Sequence, residues 1–127
     1  MPLTLIRRAV AVPAFAAALF ATAAPAHAET GQLEITRHDV RSGEKRQWFL
    51  ACDPDGGTHP DPIGACDGLR GSDADLERLR FGPAPCAKIY DPVEVEIVGY
   101  WNEEPRRFRH QYPNPCYVRY QAAPVVP

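Results

Sequence analysis

Four cysteines, Cys52, Cys66, Cys86 and Cys116, all stand in the last 99 of the chain's 127 residues. In a chain this small an even cysteine count reads as two disulfides, and four cysteines admit three pairings. Joining neighbours, Cys52 with Cys66 and Cys86 with Cys116, is the simplest of the three. On the chain-entropy account each bridge then contributes roughly 3 to 4 kcal/mol. Zinc is the competing use of cysteine, but no pair has C-x-x-C spacing and His38, His59 and His110 occur singly. No metal and no other cofactor is expected.

Disulfides require an oxidising compartment, and residues 1–28 have the layout of a segment that leads to one. Arg7 and Arg8 precede an alanine-rich apolar run, and Ala26-His27-Ala28 offers a signal peptidase the small residues it cuts after. The run is broken by Pro13 and Pro25, which suits a cleaved signal better than a membrane span of about 20 strongly apolar residues. The division expected is therefore a signal peptide over residues 1–28 and one domain over residues 29–127. Without the signal the net charge moves from -2 to -4. The exported chain has no second apolar run to hold a membrane and no basic stripe to bind nucleic acid.

Within the domain, Leu33 and Ile35 alternate with polar residues, and Lys45 to Cys52 resumes after the Arg41-Ser42-Gly43-Glu44 turn, which predicts a hairpin. Residues 53–58 read as loop. Asp61-Pro62 opens a short helix with Ile63, Cys66 and Leu69 on its inner face. A second is expected from Ser72, with Asp75 as its capping-box partner and Leu76 and Leu79 inward. Val93, Val95 and Ile97 form the clearest strand, with Glu94 and Glu96 opposed and Gly99 marking a bulge or a close backbone approach. Phe108, His110 and Tyr112 alternate with Arg107 and Arg109 in its expected partner. Residues 117–120 read as a short edge strand and residues 121–127 as a frayed end. The class is α+β, an antiparallel sheet with two short helices and two disulfides.

Enzyme machinery is missing. Ser42 and Ser72 occupy turn and cap positions without a nucleophile elbow, and the cysteines are spent on disulfides. The carboxylate pairs Asp73/Asp75 and Glu94/Glu96 suit a helix start and a solvated strand face. What remains is the stretch from Phe81 to Pro92, where Pro83, Pro85 and Pro92 leave little but a stiff exposed loop that presents Lys88 two residues after Cys86. Lysines are usually just solvated. An extended segment held by a half-cystine and prolines, however, has the shape in which protease clefts accept peptides.

Several stretches together resemble the Streptomyces subtilisin inhibitor family from about residue 33 to residue 120. They are Cys52-Asp53-Pro54, Gly57-Thr58-His59-Pro60, Gly64-Ala65-Cys66, Asp75-Leu76, Cys86-Ala87-Lys88-Ile89-Tyr90-Asp91-Pro92-Val93, Gly99-Tyr100-Trp101 and Asn114-Pro115-Cys116. The resemblance implies a sheet of five strands with two helices, the pairing Cys52–Cys66 and Cys86–Cys116, and inhibition of serine proteases by a substrate-like loop. Carried over by position, the reactive bond joins Lys88 (P1) to Ile89 (P1'), Pro85, Cys86 and Ala87 precede it as P4 to P2, and Tyr90 follows as P2'. Asp91 and Pro92 then support the loop from one side and Asn114 from another, although a turn residue between two prolines is the plain reading of Asn114. Lysine at P1 implies trypsin-type targets beside subtilisin-type ones, and Pro85 departs from the large apolar P4 that subtilisins favour. The family is commonly a homodimer through its sheet. The competing class is a secreted, disulfide-stapled binding or structural module without protease inhibition.

Overall fold

The computed structural model describes residues 29–127, and the expected signal peptide lies outside the described residues. Five strands form one antiparallel sheet: β1 (Gly31–Asp39), β2 (Glu44–Cys52), β3 (Gly56–Gly57), β4 (Val93–Trp101) and β5 (Glu104–Tyr112). Their order is β3-β2-β1-β4-β5. Helices α1 (Pro62–Arg70) and α2 (Pro115–Gln121) and a 3₁₀ helix, Leu76–Arg80, complete the α+β architecture. Two disulfides join Cys52 to Cys66 and Cys86 to Cys116. Among the described residues no helix is long and apolar enough to cross a membrane.

Alternation along the strands decides which face is covered. Leu33, Ile35, Leu50, Val93, Val95, Ile97, Phe108 and Tyr112 are buried against Ala65, Cys66 and Leu69 of α1, Leu76, and Val118 of α2. Each large apolar side chain so buried contributes roughly 1.5 to 3 kcal/mol. On the other face Glu96 pairs with Arg107 at 3.7 Å, as the alternation of glutamates and arginines predicts. That face is not purely charged, because Phe49 and Tyr100 lie on it 43% and 58% exposed.

Several local expectations are corrected. Gly56 and Gly57 are not loop but a two-residue edge strand against Leu50 and Ala51. A Cβ on Gly57 would lie 2.2 Å from the Phe49 carbonyl oxygen, so only glycine permits this approach. Residues 117–120 are helical, not an edge strand, because the Asn114 side chain accepts the Cys116 amide at 3.0 Å and Pro115 sits in the first turn. The inner face of α1 is Ala65, Cys66 and Leu69, and Ile63 is 64% exposed. The bridge from Cys66 to Cys52 sets that rotation. The second expected helix is a 3₁₀ helix that begins later than Ser72, with Asp75 itself as N-cap, accepting from Glu77.

The chain end is not frayed. Val125 and Val126 are buried, and His59 ties them down. His59 Nδ1 accepts from the Asp61 amide at 3.0 Å, which leaves the proton on Nε2 to be donated to the Val125 carbonyl at 3.0 Å. Gly99 marks a close approach and not a bulge. The ladder runs through it unbroken, opposite Leu33 and Arg106, and a Cβ there would meet the Gln32 carbonyl oxygen at 1.9 Å.

One inward polar group has its titration shifted by the fold. His110 Nδ1 faces Arg80 Nη1 at 3.0 Å and can only accept from it. Burial first, and then the Arg80 charge, lower the His110 pKa, against a small raising by Glu77. The folded state therefore binds fewer protons than the unfolded chain below about pH 6.5, and stability falls as pH drops through that range. Thermal unfolding between pH 7 and 5 should show a smaller loss for His110→Gln than for the parent chain; equal losses contradict this account.

Candidate functional site

Residues 81–92 link the 3₁₀ helix to β4 and carry no regular secondary structure. The proline-rich segment contains a bend at Gly82, where φ is +124°, and two three-residue turns. In these the Cys86 amide bonds the Ala84 carbonyl at 2.8 Å, and the Ile89 amide bonds the Ala87 carbonyl at 2.9 Å. Pro85 and Lys88 are the central residues of the two turns. Pro85, Ala87 and Lys88 are exposed, Ile89 is 61% and Tyr90 68% exposed, Cys86 and Asp91 are half-buried, and Pro92 is buried.

The loop is attached to the body on both sides of Lys88. Before it, the Cys86–Cys116 bridge joins the loop to the first turn of α2. Behind it stands Asn114, 6% exposed, whose side chain uses both of its donors and its acceptor oxygen. Nδ2 donates to the Ala87 carbonyl at 3.1 Å and to the Ile89 carbonyl at 2.8 Å, while Oδ1 caps α2. Asn114 is thus a helix cap and a brace at once. The cap also orients the amide, since Oδ1 must face the Cys116 N–H and the two N–H bonds then point at the loop.

Further attachments come from the backbone, from the turn between β1 and β2, and from side chains of β5 and α2. The Asp91 amide bonds the Pro113 carbonyl at 2.9 Å and the Val40 amide bonds the Pro92 carbonyl at 3.0 Å. Arg41 Nη2 donates to the Tyr90 carbonyl at 2.8 Å, with its Nε 3.8 Å from the Asp91 carboxylate. Gln111 reaches the Tyr90 hydroxyl at 3.4 Å, and Gln121 donates to the Gly82 carbonyl at 3.0 Å. Reasoning from sequence missed Arg41, Gln111 and Gln121. The signal for Arg41 is topological: once β1 is paired with β4, Asp39 lies opposite Val93, and the turn after Asp39 must flank the residues before Val93.

Elsewhere the reactive residue types have structural work. Ser42 and Ser72 each donate to a backbone carbonyl at 3.3 Å, Asp75 caps the 3₁₀ helix, and Asp73 accepts from Trp101 Nε1 at 3.0 Å. Cys52, Asp55 and Cys66 bring potential metal ligands within 4.8 Å, but both sulfurs are joined to each other and offer no thiolate.

The subtilisin inhibitor-like family model matches residues 29–114. The chain belongs to that family. It is 37% identical over 82 residues to the transglutaminase-activating metalloprotease inhibitor of Streptomyces mobaraensis, an alignment covering 61% of this chain and 55% of that one. It is 38% identical over 69 residues to the trypsin inhibitor STI2 of Streptomyces longisporus, covering 53% and 48%. The chain thus spans about half the length of these two curated relatives. Among solved structures it is similar to sermetstatin of Streptomyces caespitosus in complex with Bacillus licheniformis subtilisin. There the TM-score is 0.61 at 32% identity, over 75% of this chain and 96% of that one. The family is one of protease inhibitors and not of enzymes, and both curated relatives carry inhibitor names.

Replacing the Asn114 amide by a carboxyl separates its two duties. Asn114→Asp retains an oxygen for the helix cap but sets an anion against two carbonyl oxygens, which should destabilise the fold by about 2 to 4 kcal/mol at pH 7. The introduced carboxyl has a raised pKa in the folded state, so the deficit should shrink as acid protonates it and restores one donated bond. Thermal melts of variant and parent at pH 7 and pH 4 check this; a deficit that does not shrink at pH 4 contradicts it.

Proposed function

We infer that the protein is an exported inhibitor of serine proteases, of trypsin type as well as subtilisin type, whose reactive bond joins Lys88 to Ile89. The observation that carries this reading is the bracing of that bond. One buried amide, Asn114, donates to the carbonyls on both sides of Lys88 while Lys88, Ile89 and Tyr90 stand in water. A segment so held enters a protease cleft already in one conformation, and association then orders fewer torsions than it does with a flexible substrate. The complex of the solved neighbour with subtilisin and the trypsin in one relative's name support the two target classes.

In this reading the Lys88 ammonium faces the carboxylate of a trypsin-type S1 pocket, while a broad apolar S1 pocket gains chiefly from its four-carbon stem. Pro85, Cys86 and Ala87 fill the subsites before the bond and Tyr90 the second after it. Pro85 offers a subtilisin a small ring where a larger apolar side chain binds best, which weakens that contact.

The protease serine oxygen adds to the Lys88 carbonyl carbon, and the oxyanion hole receives the developing charge. Collapse breaks the Lys88–Ile89 C–N bond and passes a proton to the Ile89 nitrogen. The Cys86–Cys116 bridge holds the acyl half, and the bonds to Ile89 and Asp91 hold the amine half. The amine stays beside the ester, returns its proton and re-forms the peptide faster than water replaces it. Residues 1–28 serve as the export signal, in keeping with disulfides that need an oxidising compartment.

Lys88→Glu tests the assignment. It places a carboxylate where the S1 carboxylate expects a cation, and losing a desolvated charge pair costs upward of about 4 kcal/mol, or roughly 10³-fold in the inhibition constant for trypsin. The melting temperature should not move, because the side chain is exposed. Undiminished trypsin inhibition by the variant would overturn the assignment.

A further inference from the structure

From Ile89 to Pro92 every consecutive residue has one backbone group tied to the body. Asn114 takes the Ile89 carbonyl, the Pro113 carbonyl takes the Asp91 amide, and the Val40 amide takes the Pro92 carbonyl. Tyr90 is tied through a side chain from the neighbouring hairpin turn, since Arg41 Nη2 donates to its carbonyl at 2.8 Å. The same guanidinium directs its Nε toward the Asp91 carboxylate at 3.8 Å, so it spans two adjacent residues of the loop. As a bare surface ion pair this contact would be worth little, with Arg41 71% and Asp91 41% exposed. A charged donor on a backbone carbonyl is worth more, and its geometry restrains a torsion.

We propose that Arg41 is a positioning residue for the inhibitory loop, clamping the Tyr90 carbonyl so that the amine half of a cut Lys88–Ile89 bond stays aligned for resynthesis. The proposal rests on Lys88–Ile89 being the reactive bond. Once the C–N bond is broken, Ile89 and Tyr90 form the free end of a strand leader; the Ile89 nitrogen faces only Ala87, across the cut, and the first backbone amide tied to the body is that of Asp91. Asn114 alone then holds Ile89, through a single bond to its carbonyl. With Tyr90 clamped as well, two successive carbonyls are fixed and the new amine cannot swing about the Tyr90 torsions. A lysine at position 41 keeps the charge but not the fork that reaches Tyr90 and Asp91 together.

The experiment incubates catalytic amounts of trypsin with the parent, Arg41→Ala and Arg41→Lys chains, starting from intact and from purified nicked protein. It follows the ratio of nicked to intact chain, the association and dissociation rates, and the melting temperature. Arg41→Ala should shift the equilibrium toward the nicked form by about ten-fold and speed dissociation comparably, with association little changed, and Arg41→Lys should fall between. The melting temperature should stay within a few degrees of the parent. An unchanged nicked-to-intact ratio, or a loss confined to a salt-sensitive association rate, overturns the role of Arg41 while leaving the reactive bond in place. A parent chain that neither inhibits trypsin nor is cut after Lys88 overturns both.

Discussion

Val93 enters the sheet with Asp39 on one side of it and Tyr112 on the other, and what touches the loop follows from that register. Because β4 lies between β1 and β5, the residues just before Val93 leave the sheet through a gap with two walls. One wall is the turn after β1, which contributes Val40 and Arg41. The other is the junction after β5, which contributes Pro113 and Asn114. Were β4 an edge strand, one of these walls would be absent and the loop could peel away. The buried run Val93, Val95 and Ile97 makes the register costly to shift, since a slip by one residue would put these side chains on the outer face and the glutamates inside.

Proline and disulfide alone do not fix the loop. Proline fixes its own φ and biases the residue before it, and Cys86 is tethered to α2, yet Lys88 and Ile89 lie beyond both. The carbonyls flanking Lys88 are therefore held by a side chain from elsewhere in the chain. Asparagine suits that position because it supplies one acceptor for the helix amide and two donors for the loop, which neither aspartate nor serine can do. The cap at α2 and the brace of the loop thus depend on one orientation of one amide. Tyr112, just upstream, adds a buried anchor by donating its hydroxyl to the Leu79 carbonyl at 2.6 Å, and burial raises its pKa so that it remains a donor.

Much of this was legible in the residues. Alternation identified the strands and their covered face, the proline-rich run identified the loop, and motif spacing identified the family. Misread were places where a short-range signal competes with a longer one. Tyr117-Val118-Arg119-Tyr120 looks like strand by composition, but Asn114-Pro115 before it is a helix start, and the cap prevails. Residues 121–127 read as a frayed end, whereas Val125 and Val126 find a hydrophobic seat and His59 a carbonyl to hold. Arg41 was illegible for a different reason: nothing near it in sequence indicates that a turn residue will meet a loop 49 positions away.

The proposed function requires that Lys88–Ile89 be a cleavable bond held so firmly that cutting and rejoining balance. A direct measurement is a time course of the chain over residues 29–127 with catalytic trypsin, read by intact mass and by sequencing of new N-termini. The account predicts a single slow cut that exposes Ile89, inhibition that persists throughout, and recovery of intact chain when purified nicked protein is returned to the enzyme. Rapid cleavage at several arginines and lysines with no inhibition would contradict it.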